Sequence, residues 1–207
     1  MKTVDKVYDY INNLLPAAQC ELEFSNNFEL LIAVMLSAQC TDKRVNTVTK
    51  TLFQKYRNPQ DFAKANINEL EQEIFSCGFY HNKAKNIISA SQDIIDKFDG
   101  QVPDNFEDLI SLSGVGRKTA NVVLAVGFGR DAIAVDTHVF RVSNRLGIAK
   151  ANNPLSCEKQ LQAAISQDKW SHFHHLLVLF GRYHCKAIKP NCSDCGLKNL
   201  CEYYNKK

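Results

Sequence analysis

The chain has no stretch of alternating apolar and polar residues of the kind that half-buried strands need, and no apolar run longer than Leu30 to Leu36. The first absence argues against a sheet. The second excludes a bilayer-spanning helix, which takes roughly 20 consecutive apolar residues. The opening Met1-Lys2-Thr3-Val4-Asp5-Lys6 lacks the apolar centre of a secretory signal, so a soluble, cytoplasmic protein with no membrane partner is expected. There is no tandem repeat and no low-complexity linker. Charge of either sign is scarce in excess: the net balance is only +3, so affinity for a polyanion must come from where the cations sit.

What is present is apolar and helical. At 207 residues and 45% apolar composition the chain is long enough for one large core or two small ones. Phe28, Leu31, Ile32, Met35 and Leu36 recur at helical spacing, and Val45, Val48, Leu52 and Phe53 repeat the pattern after a polar joint from Gln39 to Arg44. Further helical patterns cover 67–77, 82–98, 105–112, 117–128, 137–146, 156–165 and 173–183. Breakers fall between them: Gly78, Gly100 with Pro103, Gly114 with Gly116, Gly127 with Gly129, Gly147, and Asn153-Pro154. The expected architecture is all-α, with about ten helices by this breaker pattern.

The cations crowd toward the end. From Arg182 onward, Arg182, Lys186, Lys189, Lys198, Lys206 and Lys207 face only Asp194 and Glu202. Lys206 and Lys207 read as a solvated tail. Near the middle, Leu112-Ser113-Gly114-Val115-Gly116-Arg117-Lys118-Thr119-Ala120 reads as a glycine-rich hairpin, Val115 at its tip, opening onto a helix. Glycine lets backbone amides approach an anion closely, and a helix N-terminus adds unpaired N–H groups pointing the same way; the natural anion is phosphate. Such a helix-hairpin-helix element binds a DNA backbone through Gly114, Val115, Gly116 and Arg117. By itself it leaves Lys118 open between a phosphate contact and a chemical role. Val135-Asp136-Thr137-His138 places a carboxylate eighteen residues beyond that lysine.

Of the eight cysteines, Cys20, Cys40, Cys77 and Cys157 are scattered singly through helical patterns, as packing thiols are. Cys185, Cys192, Cys195 and Cys201 crowd one short segment with six, two and five residues between them. Four thiolates so close suggest a metal site. Zinc folds mostly use two separated close pairs, whereas one close pair with longer outer arms suits an iron-sulfur cluster, although spacing does not encode the metal.

Together the hairpin with Lys118, the segment around Asp136 and the six-two-five cysteine spacing resemble the endonuclease III family of DNA glycosylases, over nearly the whole chain. Leu36-Ser37-Ala38-Gln39-Cys40-Thr41-Asp42, Gly78-Phe79-Tyr80 with Lys83-Ala84, and Gly181-Arg182-Tyr183 are also similar to the family. The resemblance implies a two-lobed helix-hairpin-helix DNA glycosylase fold: a six-helix lobe over 22–129, and a lobe of 1–21 with 130–207 carrying a [4Fe-4S] cluster on the four cysteines. It implies Lys118 as amine nucleophile, Asp136 as its carboxylate partner facing it, and Gln39 and Phe79 as duplex-invading residues.

The implied activity is a DNA N-glycosylase and abasic-site lyase. Acting as a monomer on double-stranded DNA with damaged pyrimidines or abasic sites, it removes an oxidised pyrimidine and nicks the strand by β-elimination through a lysine Schiff base. A thymine/guanine mismatch glycosylase and a non-catalytic damage binder are the rival readings. Partial desolvation and the neighbouring Arg117 are expected to neutralise the Lys118 amine, and Lys186, Lys189 and Lys198 to contact phosphates from the cluster loop. Adenine-removing relatives generally lack a lysine at the position of Lys118, and the chain is expected to lack their extra C-terminal domain. Ser113 stands where the family usually has proline, Phe79 where leucine is frequent, and His81 at a position often polar. His138 is read as a hydrogen-bonded structural group, His172, His174 and His175 as packing residues, and Trp170 as core.

Overall fold

The computed structural model describes residues 3–206, which fold as helices joined by turns, with no strand among them. Lys207 therefore lies outside the described residues. The chain divides into two compact units: residues through Cys20 with those from Arg130 onward, and Glu21–Gly129.

Helix α1 (Thr3–Leu14) belongs to the first unit. The chain then builds the whole second unit from α2 (Asn27–Leu36), α3 (Asp42–Lys55), α4 (Pro59–Ala63), α5 (Ile67–Ile74), α6 (Tyr80–Phe98), α7 (Phe106–Ser111) and α8 (Arg117–Val122). It returns to the first with α9 (Thr137–Leu146), α10 (Pro154–Ala164), α11 (Trp170–Leu179) and α12 (Glu202–Asn205). The five-residue α4 is additional to the six helices expected of the 22–129 segment.

Asparagine starts many of these helices. The side chains of Asn26, Asn58, Asn66, Asn105 and Asn153 accept backbone N–H bonds at the N-termini of α2, α4, α5, α7 and α10, each such cap being worth about 1 kcal/mol. Pro59 and Pro154 follow their caps, where a missing N–H costs nothing. The polar joint between α2 and α3 is shorter than its composition suggests, because Thr41 already caps α3 and Asp42 begins it.

In the second unit α2 is the core element: Leu30 through Leu36 are all buried, which explains why its apolar residues do not favour one face. The long α6 packs against α2, α4 and α5. In the first unit Val4, Val7 and Ile11 of α1 pack with Val139, Val142 and Leu146 of α9 and with Phe173, Leu176 and Leu177 of α11. Helix α1 is absent from the sequence expectations, although its apolar residues fall at helical spacing.

Two helices change pitch at their ends. After α8 the chain continues as a π-helical turn, Val123–Gly127, and after α11 as another, Phe180–His184. Segments expected as uniform helices over 117–128 and 173–183 are thus α followed by π. The second π turn delivers the chain directly to Cys185.

Candidate functional site

Gln39 and Phe79 lie in different connections of the second unit, and both adopt left-handed backbone conformations, with φ of 54° and 50°. For residues other than glycine this costs about 1–2 kcal/mol each. The described residues contain four such positions; two are Gln39 and Phe79, and a third is Lys189. Strain of this kind persists only where the surroundings impose it, and it concentrates at functional sites. Gln39 is exposed, and Phe79 is 64% exposed, so its ring is not part of the core. Gly78, at φ 68°, supplies the preceding bend, and Phe79 then begins α6. Nearby, the Phe75 and Tyr80 rings lie 4.9 Å apart, and His81 Nδ1 meets Glu71 at 2.7 Å.

The hairpin ends α7 and begins α8. Gly114 has φ 75°, and a Cβ there would lie 2.7 Å from the Asn86 side chain, so glycine is required by both backbone and space. Ser113 does not leave the turn loose: its hydroxyl bonds the Ser89 hydroxyl of α6 at 2.7 Å. Val115 departs from expectation. Its side chain is 6% exposed and its amide donates to the Leu112 carbonyl at 3.1 Å, so it anchors the turn to the core instead of projecting from a tip. Gly114, Gly116, Arg117 and Lys118 are exposed. The Arg117 guanidinium lies 4.7 Å from the centre of the Phe106 ring, a cation–π contact that holds it against α7. Because Lys118 is exposed, the protein alone does not provide the desolvation expected for its amine.

Asp136 is held differently. It is the N-cap of α9, its Oδ1 accepting N–H bonds from His138 at 2.8 Å and Val139 at 2.7 Å. The carboxylate is fixed in direction, with the positive end of the α9 dipole against it. The aspartate just before the α9 pattern carries a helix-start signature that the sequence reading did not use. His138 Nδ1 accepts from Arg141 Nη2 at 3.2 Å, and the same nitrogen donates to the Gly181 carbonyl at 2.7 Å. His138 is therefore part of the α9–α11 framework.

Cys185, Cys192, Cys195 and Cys201 line one apolar cavity together with Leu146, Phe180 and Tyr203. All four are free thiols. Among the described residues no group of three or more His, Cys, Asp or Glu is gathered so as to hold a single metal ion. Four cysteines lining one apolar cavity are a donor set that suits an iron–sulfur group. Burial pushes the Cys195 thiol up, and the sulfurs of Cys185, Cys201 and Cys192 add to it, against a Leu197 backbone bond that lowers it. Four thiolates there would repel one another unless a cationic group sat among them.

Arg145 reaches into this loop. It donates to the carbonyls of Lys186 at 2.7 Å and Ala187 at 3.0 Å, lies 3.6 Å from Cys185 Sγ and stacks on Tyr203 at 4.3 Å. Lys186, Lys189 and Lys198 are exposed around it. The histidines of α11 make no such centre: His172 bonds the Asn12 side chain at 2.8 Å, and His174 is buried beside His175. Trp170 donates to the Ile165 carbonyl at 3.2 Å and packs on the core.

The model of the HhH-GPD superfamily of base excision DNA repair proteins matches residues 32–167, which defines the class. The chain is 52% identical to the endonuclease III of Bacillus subtilis (strain 168), across 100% of this chain and 95% of that protein. Its structure matches that of a trapped endonuclease III–DNA covalent intermediate with a TM-score of 0.95 and 51% identity, covering 100% of this chain and 98% of the other. A thermostable thymine-DNA glycosylase, with a TM-score of 0.89 and 24% identity over 99% and 98% of the two chains, shares the fold. The chain belongs to the endonuclease III family.

Proposed function

We propose that this protein removes oxidised pyrimidines from double-stranded DNA and nicks the resulting abasic site by β-elimination. The observation that carries this reading is the presence of an exposed lysine at a helix-hairpin-helix element and of an aspartate fixed as a helix cap, in a chain half identical to an endonuclease III caught covalently on DNA.

A base within a duplex shields its sugar carbon, so the damaged nucleotide first leaves the stack, at a cost of a few kcal/mol that falls when pairing is already impaired. Phe79 fills the vacated step and Gln39 takes up hydrogen bonds lost there. Gly114, Gly116 and Arg117 hold the phosphate backbone, Val115 keeping the turn in shape from beneath. The approaching DNA excludes water from around Lys118. The neutral amine attacks the sugar carbon bearing the base, the carbon–nitrogen bond to the base breaks, and the sugar ring opens to a Schiff base. Loss of a proton from the neighbouring carbon expels the 3′ phosphate. Water then frees the lysine. Asp136 stabilises positive charge on the sugar as the base departs.

Cys185, Cys192, Cys195 and Cys201 are the residues that would hold a [4Fe-4S] cluster, and bonds from their thiolates to it would tie the loop together. That loop presents Lys186, Lys189 and Lys198 to phosphates. No helix among the described residues is long and apolar enough to cross a membrane. The protein would act as a cytoplasmic monomer, nucleoid-associated if bacterial, with 22–129 as its hairpin-bearing lobe and 1–21 with 130–207 as its cluster-bearing lobe.

Borohydride trapping on an abasic duplex tests the chemistry: a covalent complex through Lys118 is expected, and its absence would leave only a binder. A panel of duplexes with oxidised pyrimidines and with thymine opposite guanine then fixes the substrate, faster excision of the mismatch overturning the assignment.

A further inference from the structure

Lys83 is 7% exposed, yet it carries an ammonium group. Its Nζ donates to the carbonyls of Leu36, Ala38 and Cys77, each at 2.8 Å. An ammonium has three protons, so these three bonds use all of its donors. None of the acceptors is a carboxylate. The charge is balanced by carbonyl dipoles, including the Leu36 carbonyl at the negative end of α2, with the thiols of Cys77 and Cys40 as its electrostatic neighbours. Burial lowers the lysine's affinity for its proton.

A buried cation without a counterion is an expensive way to fill space, since an apolar side chain of similar volume usually packs at lower cost. What the ammonium does, and an apolar side chain cannot, is join two connections far apart in sequence. The Ala38 carbonyl belongs to the peptide leading into Gln39, and the Cys77 carbonyl to the peptide leading into Gly78 and then Phe79. One atom therefore fixes the peptide immediately before Gln39 and the peptide one residue short of Phe79, and both residues are in the strained left-handed conformation.

We propose that Lys83 is a positioning residue for base removal, a buried staple that holds the Gln39 and Phe79 connections in the geometry needed to enter the duplex. This rests on the reading of Gln39 and Phe79 as the residues that take the place of the departing nucleotide. Lys83 itself touches no DNA in this scheme and acts through the two it positions.

The test compares single-turnover excision of one oxidised pyrimidine in a paired duplex and in an unpaired bubble, where little stacking has to be broken. Assays run well below the melting temperature of each variant. Lys83→Met keeps the length and removes the three bonds; about tenfold slower excision from the duplex is expected, corresponding to ~1.4 kcal/mol, with bubble cleavage within about twofold of the parent. A 2-aminopurine placed beside the lesion should lose its unstacking signal with this variant. Lys83→Arg keeps the charge but offers a planar fork to acceptors arranged around a tetrahedral ammonium, so a smaller loss, again confined to the duplex, is expected. In a Gln39→Ala/Phe79→Ala background, Lys83→Met should add little. Equal slowing on both substrates, or full additivity in that background, overturns the staple; should Lys83→Met not fold, the Lys83→Arg substrate pair decides. If Gln39→Ala/Phe79→Ala itself leaves duplex and bubble alike, the wedge reading fails, and the staple with it.

Discussion

The two compact units hold their functional groups in opposite ways. In the 21–129 unit the connections are completed by the protein itself: the Lys83 ammonium ties two of them, the Ser113 and Ser89 hydroxyls close the hairpin, and buried Val115 anchors it. Lys118 then stands exposed on a finished scaffold. In the other unit the carboxylate is locked by its helix, whereas the segment after Cys185 is held by Arg145 and carries four thiols whose thiolate forms would repel one another without a cationic group among them. The difference teaches where preorganisation comes from. One unit has its geometry from backbone and buried polar groups, and the other has half of it from a helix cap and, on the function proposed above, half from the group its four cysteines would hold.

Substitutions should therefore separate chemistry from folding on one side and couple them on the other. The largest effect is expected from Lys118→Gln, which should abolish borohydride trapping and strand nicking while duplex binding and melting temperature stay near those of the parent, because the side chain is exposed. Trapping at the parental level would move the nucleophile elsewhere. Asp136→Asn should slow single-turnover excision by about 10²–10³, the amide lacking the charge that stabilises a cationic sugar. Its stability should be unchanged, since asparagine caps as well as aspartate. Normal excision by this variant would show that another group supplies the field.

Cys192→Ser should weaken the cluster, lower the melting temperature and reduce DNA affinity together, measured by iron content, calorimetry and duplex titration. An iron-free variant that melts and binds as the parent does would break the coupling claimed for this unit. Acid should test the same unit more gently. Burial, with His172 as a lesser cause, pushes His175 down from 6.5 to about 4. The folded protein thus takes up this proton less readily than the unfolded chain, so stability is full above pH 6.5 and falls as pH drops toward 4. The loss is at most ~3 kcal/mol. His175→Gln should flatten that acid limb in denaturant titrations; an unaltered slope would deny the burial effect. Smallest of all, Asp136→Ala should cost about 1 kcal/mol of stability beyond Asp136→Asn, which is the cap alone.

Much of the site was legible because its parts are contiguous in the chain. The hairpin glycines, Lys118, Asp136 and the cysteine spacing each occupy a short segment whose residue types carry a local physical meaning. Helix patterns were equally local, and α3, α6 and α9 fall close to where periodicity puts them. Misses share one cause. Lys83 could be seen beside Ala84 in a familiar segment, but its partners Ala38 and Leu36 lie 45 and 47 residues away, so no local pattern reveals the staple. The burial of Val115 is likewise set by the surrounding core, since a valine between two glycines reads equally well as a tip or an anchor.

By itself, then, the sequence determined what short-range chemistry can determine: an all-helical chain, where most helices start and stop, which residues can act as nucleophile, acid or thiolate, and the family to which they belong. Periodicity and capping act over one or two turns, and composition needs no geometry at all. Only the tertiary structure decided that Lys83 is a buried cation satisfied by three carbonyls, that Asp136 is fixed by the helix it caps, that Lys118 is exposed, and that α8 and α11 end in π turns. Those outcomes depend on which polar groups are removed from water and on which partners then reach them. Burial and long-range hydrogen bonding are properties of the assembled fold.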